Sequence, residues 1–392
     1  MSTVNAVSAE QLLERAIAMQ PVLRERANHA RELRRVPDET IADFKQAGFF
    51  RMIQPCRYGG YEMNPKHFYD VVFELARACP SSAWVLSVVG VHNWQLGLLD
   101  DRAQMEVWGQ DDTTLISSSY APKGKAQAVE GGFNFSGRWQ FSSGCDHCDW
   151  IFVGGFLPND DNIPMLASFL LPASDYRIED DWFTTGLQGS GSKSLVVENA
   201  FVPDYRVHTF SQGYLCQSPG QAVNPSALFK LPFGQVFIRA VSMPAVGATQ
   251  GALDAYCEYN SQRLNSVGMK VVDAPAGQMA AALAKSVITS ARLKMHHAYD
   301  TLLDYAENGQ PFSAEDRSEF RFDSSHAVDE CVTAAQALLA NSGGSAIYQG
   351  NVINTIFQDL LAFRQHAANQ PDAPTKNLGA TLFGLPVQDP FS

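Results

Sequence analysis

The feature that most narrows the folds open to this chain is the order in which its hydrophobic periods change. From Ser8 to about Gly109 apolar residues recur at helical spacing. From Thr113 to about Tyr205 the pattern becomes short β-branched and aromatic runs separated by Gly, Asn and Asp. Beyond a polar loop at 211–226, helical spacing returns in four long blocks near 235–263, 273–308, 313–342 and 351–369. Four helices of that length can close a bundle. The chain therefore reads as α+β, with an N-terminal α-helical domain over 1–112, a central β domain over 113–226 and a C-terminal four-helix bundle over 227–392. At 392 residues it is too long for a single core.

Local signals mark the boundaries. Ser8-Ala9-Glu10-Gln11 forms a capping box ahead of Leu12 and Leu13, and Pro37-Asp38-Glu39 marks a second helix start. Helical runs at 65–78 and 82–99 are divided by Pro80-Ser81-Ser82, read as a break and an N-cap. Gly131-Gly132 and Pro158-Asn159-Asp160-Asp161 supply turns between strands. In the last segment Asn308-Gly309, Ser313-Ala314-Glu315-Asp316 and Gly343-Gly344 separate the helices.

Charge excludes some functions. Lys and Arg total 29 against 41 Asp and Glu, a net charge of −12 with no basic block, so nucleic acid and anionic membranes are poor partners. Met1-Ser2-Thr3-Val4-Asn5 lacks the basic start and apolar run of a secretory signal, and the uncharged stretch Ala83–Leu99 is just short of a membrane span. Seven scattered cysteines suit reduced thiols, so a cytoplasmic location is expected. Cys145-Asp146-His147-Cys148 supplies at most three soft metal ligands, and a tight turn between strands is the favoured reading, with no metal.

No glycine-rich nucleotide loop, nucleophile elbow or zinc-protease motif occurs. The remaining candidates are individually unspecific. His92 lies near the end of the uncharged helix, after Trp84 and close to Trp94, where a phenol could be sandwiched, or where a core histidine could simply be satisfied. Trp139-Gln140-Phe141-Ser142-Ser143-Gly144 and Ser117-Ser118-Ser119 place hydroxyls at strand ends, where turns also use them. His366 falls at the end of the last bundle helix, as a cation suited to a helix C-terminus or as a catalytic group. Arg239 interrupts an apolar helix start and needs an acidic or phosphate partner, or an exposed head.

Taken together these segments resemble the acyl-CoA dehydrogenase fold across nearly the whole chain, with Gly186-Leu187-Gln188-Gly189-Ser190-Gly191-Ser192 similar to its second β-domain signature. Within that fold, a dehydrogenase takes its proton-abstracting carboxylate near the end of the last bundle helix. No glutamate follows Glu330, and that region reads Asp359-Leu360-Leu361-Ala362-Phe363-Arg364-Gln365-His366, although Glu258 leaves an earlier helix open as the source. A tight-FAD acyl-CoA dehydrogenase is therefore the alternative reading, and a catalytically silent assembly subunit a further one. Ser81-Ser82-Ala83-Trp84, Val91-His92-Asn93-Trp94-Gln95, Phe141-Ser142-Ser143-Gly144-Cys145-Asp146-His147 and Phe363-Arg364-Gln365-His366-Ala367 resemble, in order, the group D two-component flavin-dependent monooxygenases. That group includes the 4-hydroxyphenylacetate 3-hydroxylase oxygenase components and the 3-hydroxy-9,10-seco-steroid A-ring hydroxylases, the latter being the nearer in wording.

The resemblance implies reduced FMN or FAD delivered by a separate NAD(P)H-dependent flavin reductase, O2 as co-substrate, a C4a-hydroperoxyflavin shielded from water, and ortho-hydroxylation of a phenol to a catechol. It implies a homotetramer with flavin between β domain and bundle. It places Ser143, with Ser142 as the alternative, near flavin N5, with Trp139 beside the ring and Arg239 on its pyrimidine side. His366 falls on the peroxide or substrate side, His92 accepts the phenolic proton, and Ser118 and Trp84 bind the substrate.

Overall fold

The computed structural model describes residues 7–158, 165–387 and 389. The Met1–Asn5 segment and residues 159–161 of the expected Pro158–Asp161 turn lie outside the described residues.

Helix α1 (Ala9–Leu33) starts with the expected reciprocal cap between Ser8 and Gln11. Helix α2 (Asp38–Ala47) ends on Gly48 at φ 84°, a left-handed position that glycine adopts without strain. Helix α3 (Pro65–Ala76) is capped by the Asn64 side chain. Helix α4 (Pro80–Leu96) corrects the expected cap: Cys79 is the N-cap residue and Pro80 opens the helix, where its missing N–H leaves no bond unmade. Every residue of α4 is buried. Helix α5 (Asp101–Trp108) completes the first segment. Among the described residues no helix is long and apolar enough to cross a membrane.

Among the described residues the central segment is one seven-stranded sheet of β1 (Ile116–Val129), β2 (Gly132–Ser142), β3 (Trp150–Leu157), β4 (Met165–Pro172), β5 (Tyr176–Glu179), β6 (Lys193–Pro203) and β7 (Val207–Thr209), in spatial order β5-β6-β2-β1-β3-β4-β7. Strands β1 and β2 form a hairpin about Gly131, whereas β1 and β3 run parallel with Ser118 opposite Phe152. The Cys145–His147 segment between β2 and β3 is a 3-10 turn, with the Cys148 thiol 3.4 Å from the Gly144 carbonyl and Asp146 paired to Lys193 at 2.9 Å.

The expected polar loop after β7 contains a short helix, α6 (Phe210–Leu215). The bundle follows as α7 (Phe233–Asn260), α8 (Pro275–Glu307), α9 (Ala314–Ala340) and α10 (Val352–Arg364), with α11 (Asp372–Leu382) after it. The fourth block is therefore shorter than its hydrophobic pattern suggests. The chain leaves the helix at Gln365, turns at His366 and starts α11, which the sequence pattern did not signal.

The two helical segments share one contiguous core running from Leu12 to Ala368, while the sheet encloses a second around Phe135, Trp139, Phe169 and Leu195. Trp139 belongs to that second core. Its ring stacks on Phe135 at 5.4 Å between centroids, and its Nε1–H lies 2.9 Å from the Gly154 carbonyl and 3.0 Å from that of Ala121. The expected cofactor-facing indole is thus turned into the sheet. Trp139→Phe should lower unfolding free energy by about 2 kcal/mol, from a lost donor and a small void, as measured by urea denaturation.

Candidate active site

Helix α4 lies between sheet and bundle, and its side chains reach both. Trp84 Nε1–H donates to Ser143 Oγ at 2.8 Å, and the Trp84 ring meets Phe363 at a tilt and His366 edgewise, at 5.3 and 5.7 Å. Ser143 Oγ lies 2.7 Å from Ser192 Oγ, which lies 2.8 Å from Ser190 Oγ. One indole thus joins the end of β2, the turn before β6 and the end of α10. Ser142 points elsewhere, donating to Ser117 Oγ at 3.1 Å in the buried sheet.

His92 is fully buried, with Nδ1 2.7 Å from the Ile116 carbonyl. A carbonyl only accepts, so Nδ1 carries the proton. Burial holds the pKa down to about 4, so the ring is neutral at pH 7 and Nε2 is left as a lone pair. Among the described residues Nε2 has no hydrogen-bond partner. An unpartnered buried acceptor is expensive, which marks it as a position for an incoming donor.

His366 is arranged the other way. It caps the 367–369 turn, its Nδ1 accepting from the Ala368 N–H at 3.1 Å, so in the neutral ring Nε2 carries the hydrogen. Burial, with Arg321 nearby, lowers its pKa to about 4. Of the two readings open for His366, the helix-terminal cation does not hold: the residue lies beyond α10 and the ring is neutral at pH 7. Arg321 donates to the Ala368 carbonyl at 2.7 Å and pairs with Asp389 at 3.2 Å.

Aromatic rings connect the two imidazoles. Phe237 lies 6.5 Å from His366, Tyr120 stands perpendicular to Phe237 at 5.1 Å, and His92 meets Tyr120 edgewise at 6.1 Å. The Tyr120 hydroxyl donates to Gln95 Oε1, and Ser118, two residues earlier on β1, is half-buried. Arg239 stands apart from this path. It is buried in the bundle, donates to the Phe320 carbonyl at 3.0 Å, and has its pKa lowered by desolvation, with Tyr299 and Asp323 opposing.

Asp359 occupies the stretch where a dehydrogenase would carry its base, but it is engaged in holding the 186–192 turn. Its Oδ1 accepts from the Leu187 N–H at 2.6 Å, and Oδ2 is 3.6 Å from Arg31. The turn lies so close on α10 that a Cβ at Gly186 would come within 2.1 Å of the Gln358 carbonyl. Glu258, the other candidate base, is exposed at the end of α7.

The donor set suits a flavin. It offers hydroxyls that can donate or accept, neutral imidazoles and an indole edge, and a large aromatic lies exposed at the end of β2, where Phe141 is 65 % exposed at φ 68°. A left-handed phenylalanine is a strained conformation of the kind that gathers at functional sites. Tyr120, Phe237, Gln95 and Asp359 went unrecognised as site residues because ordinary core patterning hides them. The Ser-Gly-Ser of the 186–192 motif was the one legible sign of the hydroxyl chain.

Fold and site together define an acyl-CoA dehydrogenase-like flavoprotein, and comparison narrows the class. Residues 8–104 match the acyl-CoA dehydrogenase N-terminal domain family and residues 239–371 its C-terminal domain family. The chain is 39% identical over 381 residues to the flavin-dependent monooxygenase oxygenase subunit HsaA of Rhodococcus jostii, covering 96% of this chain and 99% of that protein. It is 30% identical to the p-hydroxyphenylacetate 3-hydroxylase oxygenase component of Acinetobacter baumannii, covering 97% and 90% respectively. The crystal structure of 3-HSA hydroxylase from Rhodococcus sp. RHA1 superposes with a TM-score of 0.94 at 38% identity, covering 97% of this chain and 99% of that one. The chain belongs to the oxygenase components of the flavin-dependent monooxygenases built on the acyl-CoA dehydrogenase fold.

Two pH dependences follow from the buried groups. Because the His92 pKa is lower folded than unfolded, its stabilisation is complete above about 6.5 and is lost as the unfolded state takes up a proton below that. His92→Gln should lose on the order of 2 kcal/mol less stability than wild type between pH 7.5 and 5 in parallel denaturation curves. The Asp359 carboxyl is pushed up to about 6 by burial, with Arg31 opposing, so folding is favoured at low pH and loses that stabilisation as pH rises through this value. Asp359→Asn should gain on wild type by on the order of 2 kcal/mol between pH 4.5 and 7.5, and a pH-independent difference would refute the assignment.

Proposed function

We propose that this chain takes reduced FMN or FAD from a separate NAD(P)H-dependent flavin reductase and, with O2, hydroxylates a bulky phenol ortho to its hydroxyl to give a catechol. The observation that carries this reading is the opposed tautomers of His92 and His366. The flavin, when bound, supplies activated dioxygen and the oxygen atom to be transferred. Ser143 and Trp84 would hold it at the junction of sheet and bundle, with Ser142 buttressing from behind and Arg239 lending positive charge from within the bundle.

The free Nε2 lone pair of His92 accepts the phenolic proton, which raises electron density at the ortho carbon, while Ser118 bonds the phenolic oxygen. His366 presents an N–H, which suits it to hydrogen-bond oxygen on its side of the cleft and keep it electrophilic. The rings of Tyr120, Phe237 and Trp84 exclude water, which would otherwise divert the oxidant to hydrogen peroxide. A seco-steroid-like phenol is favoured by the similarity to 3-HSA hydroxylase and by a lining of aromatic rather than cationic side chains.

A homotetramer is supported by apolar side chains left uncovered on the bundle, among them Met279 and Leu293 on α8 and Ile347 and Tyr348 before α10. All seven cysteines are unpaired, in keeping with a cytoplasmic setting.

With a generic flavin reductase and a panel of phenols, oxygen uptake should appear as catechol for a bulky phenol and as hydrogen peroxide without one. His92→Ala should cut catechol formation at least tenfold while flavin reoxidation changes little, and equal loss of both would make His92 structural. Reduction of a tightly bound flavin by an acyl-CoA would overturn the reading.

A further inference from the structure

Three hydroxyls stand in line behind the sheet–bundle junction. Ser143 Oγ already accepts the Trp84 Nε1–H and is 2.7 Å from Ser192 Oγ, which is 2.8 Å from Ser190 Oγ. The Ser190 and Ser192 side chains are buried, at 0% and 4% exposure. A hydroxyl has one hydrogen and two lone pairs, so this row has two orders. Running outward from Ser143, its hydrogen is committed to Ser192 and its second lone pair is free. Running inward from Ser190, both lone pairs of Ser143 are filled, by Trp84 and Ser192, and its hydrogen is free. In either order Ser143 keeps one vacant function, a lone pair in the first and a hydrogen in the second.

The turn carrying the two outer serines is held rigidly. The Ser190 carbonyl accepts from the Gly144 N–H at 3.0 Å, Asp359 and Trp182 bond the two sides of Leu187 at 2.6 and 3.1 Å, and Leu187 and Gly191 both sit at positive φ. The row can therefore reverse by rotating hydroxyls without moving backbone.

We propose that Ser192 and Ser190 are positioning residues whose reversible hydroxyl row lets Ser143 present an acceptor to reduced flavin and a donor to oxidised flavin. This rests on the flavin reading above, in which Ser143 faces N5. That nitrogen bears a hydrogen in the reduced ring and a lone pair in the oxidised one, so a single fixed partner would satisfy only one state. Without Ser192, accepting the reduced ring's N–H leaves the Ser143 hydrogen buried and unpaired. Donating to the oxidised ring leaves only one lone pair of an oxygen that still accepts from Trp84. The first loss is the larger.

The test is anaerobic titration of wild type, Ser143→Ala, Ser192→Ala, Ser192→Thr and Ser190→Ala with oxidised and with dithionite-reduced FMN and FAD. Ser192→Ala should weaken the reduced form at least about 5-fold more than the oxidised form, Ser192→Thr should restore the ratio, and Ser190→Ala should shift it the same way by less. Equal weakening of both forms, or no change in the ratio from either Ser192→Ala or Ser190→Ala, overturns the row. If Ser192→Ala fails to fold by its melting curve, the Ser190→Ala ratio decides. If Ser143→Ala alters neither affinity, the N5 contact itself fails, and that result is distinguishable because the row needs Ser143 to matter first.

Discussion

Helix α4 is enclosed along its whole length, and apart from His92 Nε2 and Asn93 Oδ1 its buried side-chain polar atoms are hydrogen-bonded inside the protein. Those partners lie in different parts of the chain. Trp84 and His92 bond to Ser143 and Ile116 of the sheet segment, Ser87 to the Ala240 carbonyl of the bundle, Asn93 to the Phe50 carbonyl of the N-terminal segment, and Trp94 to the Leu228 carbonyl ahead of α7. A buried donor left without its acceptor costs about 1–3 kcal/mol, so each bond ties a separate segment to one helix. The sheet and the bundle meet at a defined spacing because both are registered against α4.

That registration explains why the site can use neutral groups. Two imidazoles with pKa values near 4 are uncharged, and their tautomers are dictated by a carbonyl in one case and a backbone N–H in the other. Neither proton position depends on solvent. In a site that must keep water from its oxidant, groups whose donor and acceptor faces are set by the backbone are more dependable than exposed charges. The hydroxyl row from Ser143 to Ser190 extends the same economy, offering either face of a hydrogen bond without an ion.

Much of this was legible in the chain. The change of hydrophobic period located the sheet, the capping box at Ser8 and the cap at Ser313 located helix starts, and four short motifs pointed to Trp84, His92, Ser143 and His366. Structure then sorted candidates that looked equivalent. Ser142 and Ser143 are neighbours on one strand end, but alternation sends one into the sheet toward Ser117 and the other to Trp84. Trp139 shares their motif and faces the sheet core. His366 shares the hydrophobic period of α10, which left it open as a helix-terminal cation or a catalytic group, yet the helix has ended by Gln365 and the ring caps the following turn.

By itself the sequence determined the order of segments, the uncharged character of α4 and the kinds of side chain that could meet a flavin, because those depend on composition and spacing along the chain. Only the tertiary structure decided which imidazole nitrogen holds a hydrogen, that Asp359 clamps a turn instead of awaiting a thioester, and that three serines from two distant segments form a row. Each of those outcomes is set by a partner remote in sequence and by removal from water, and neither has a signature in local spacing.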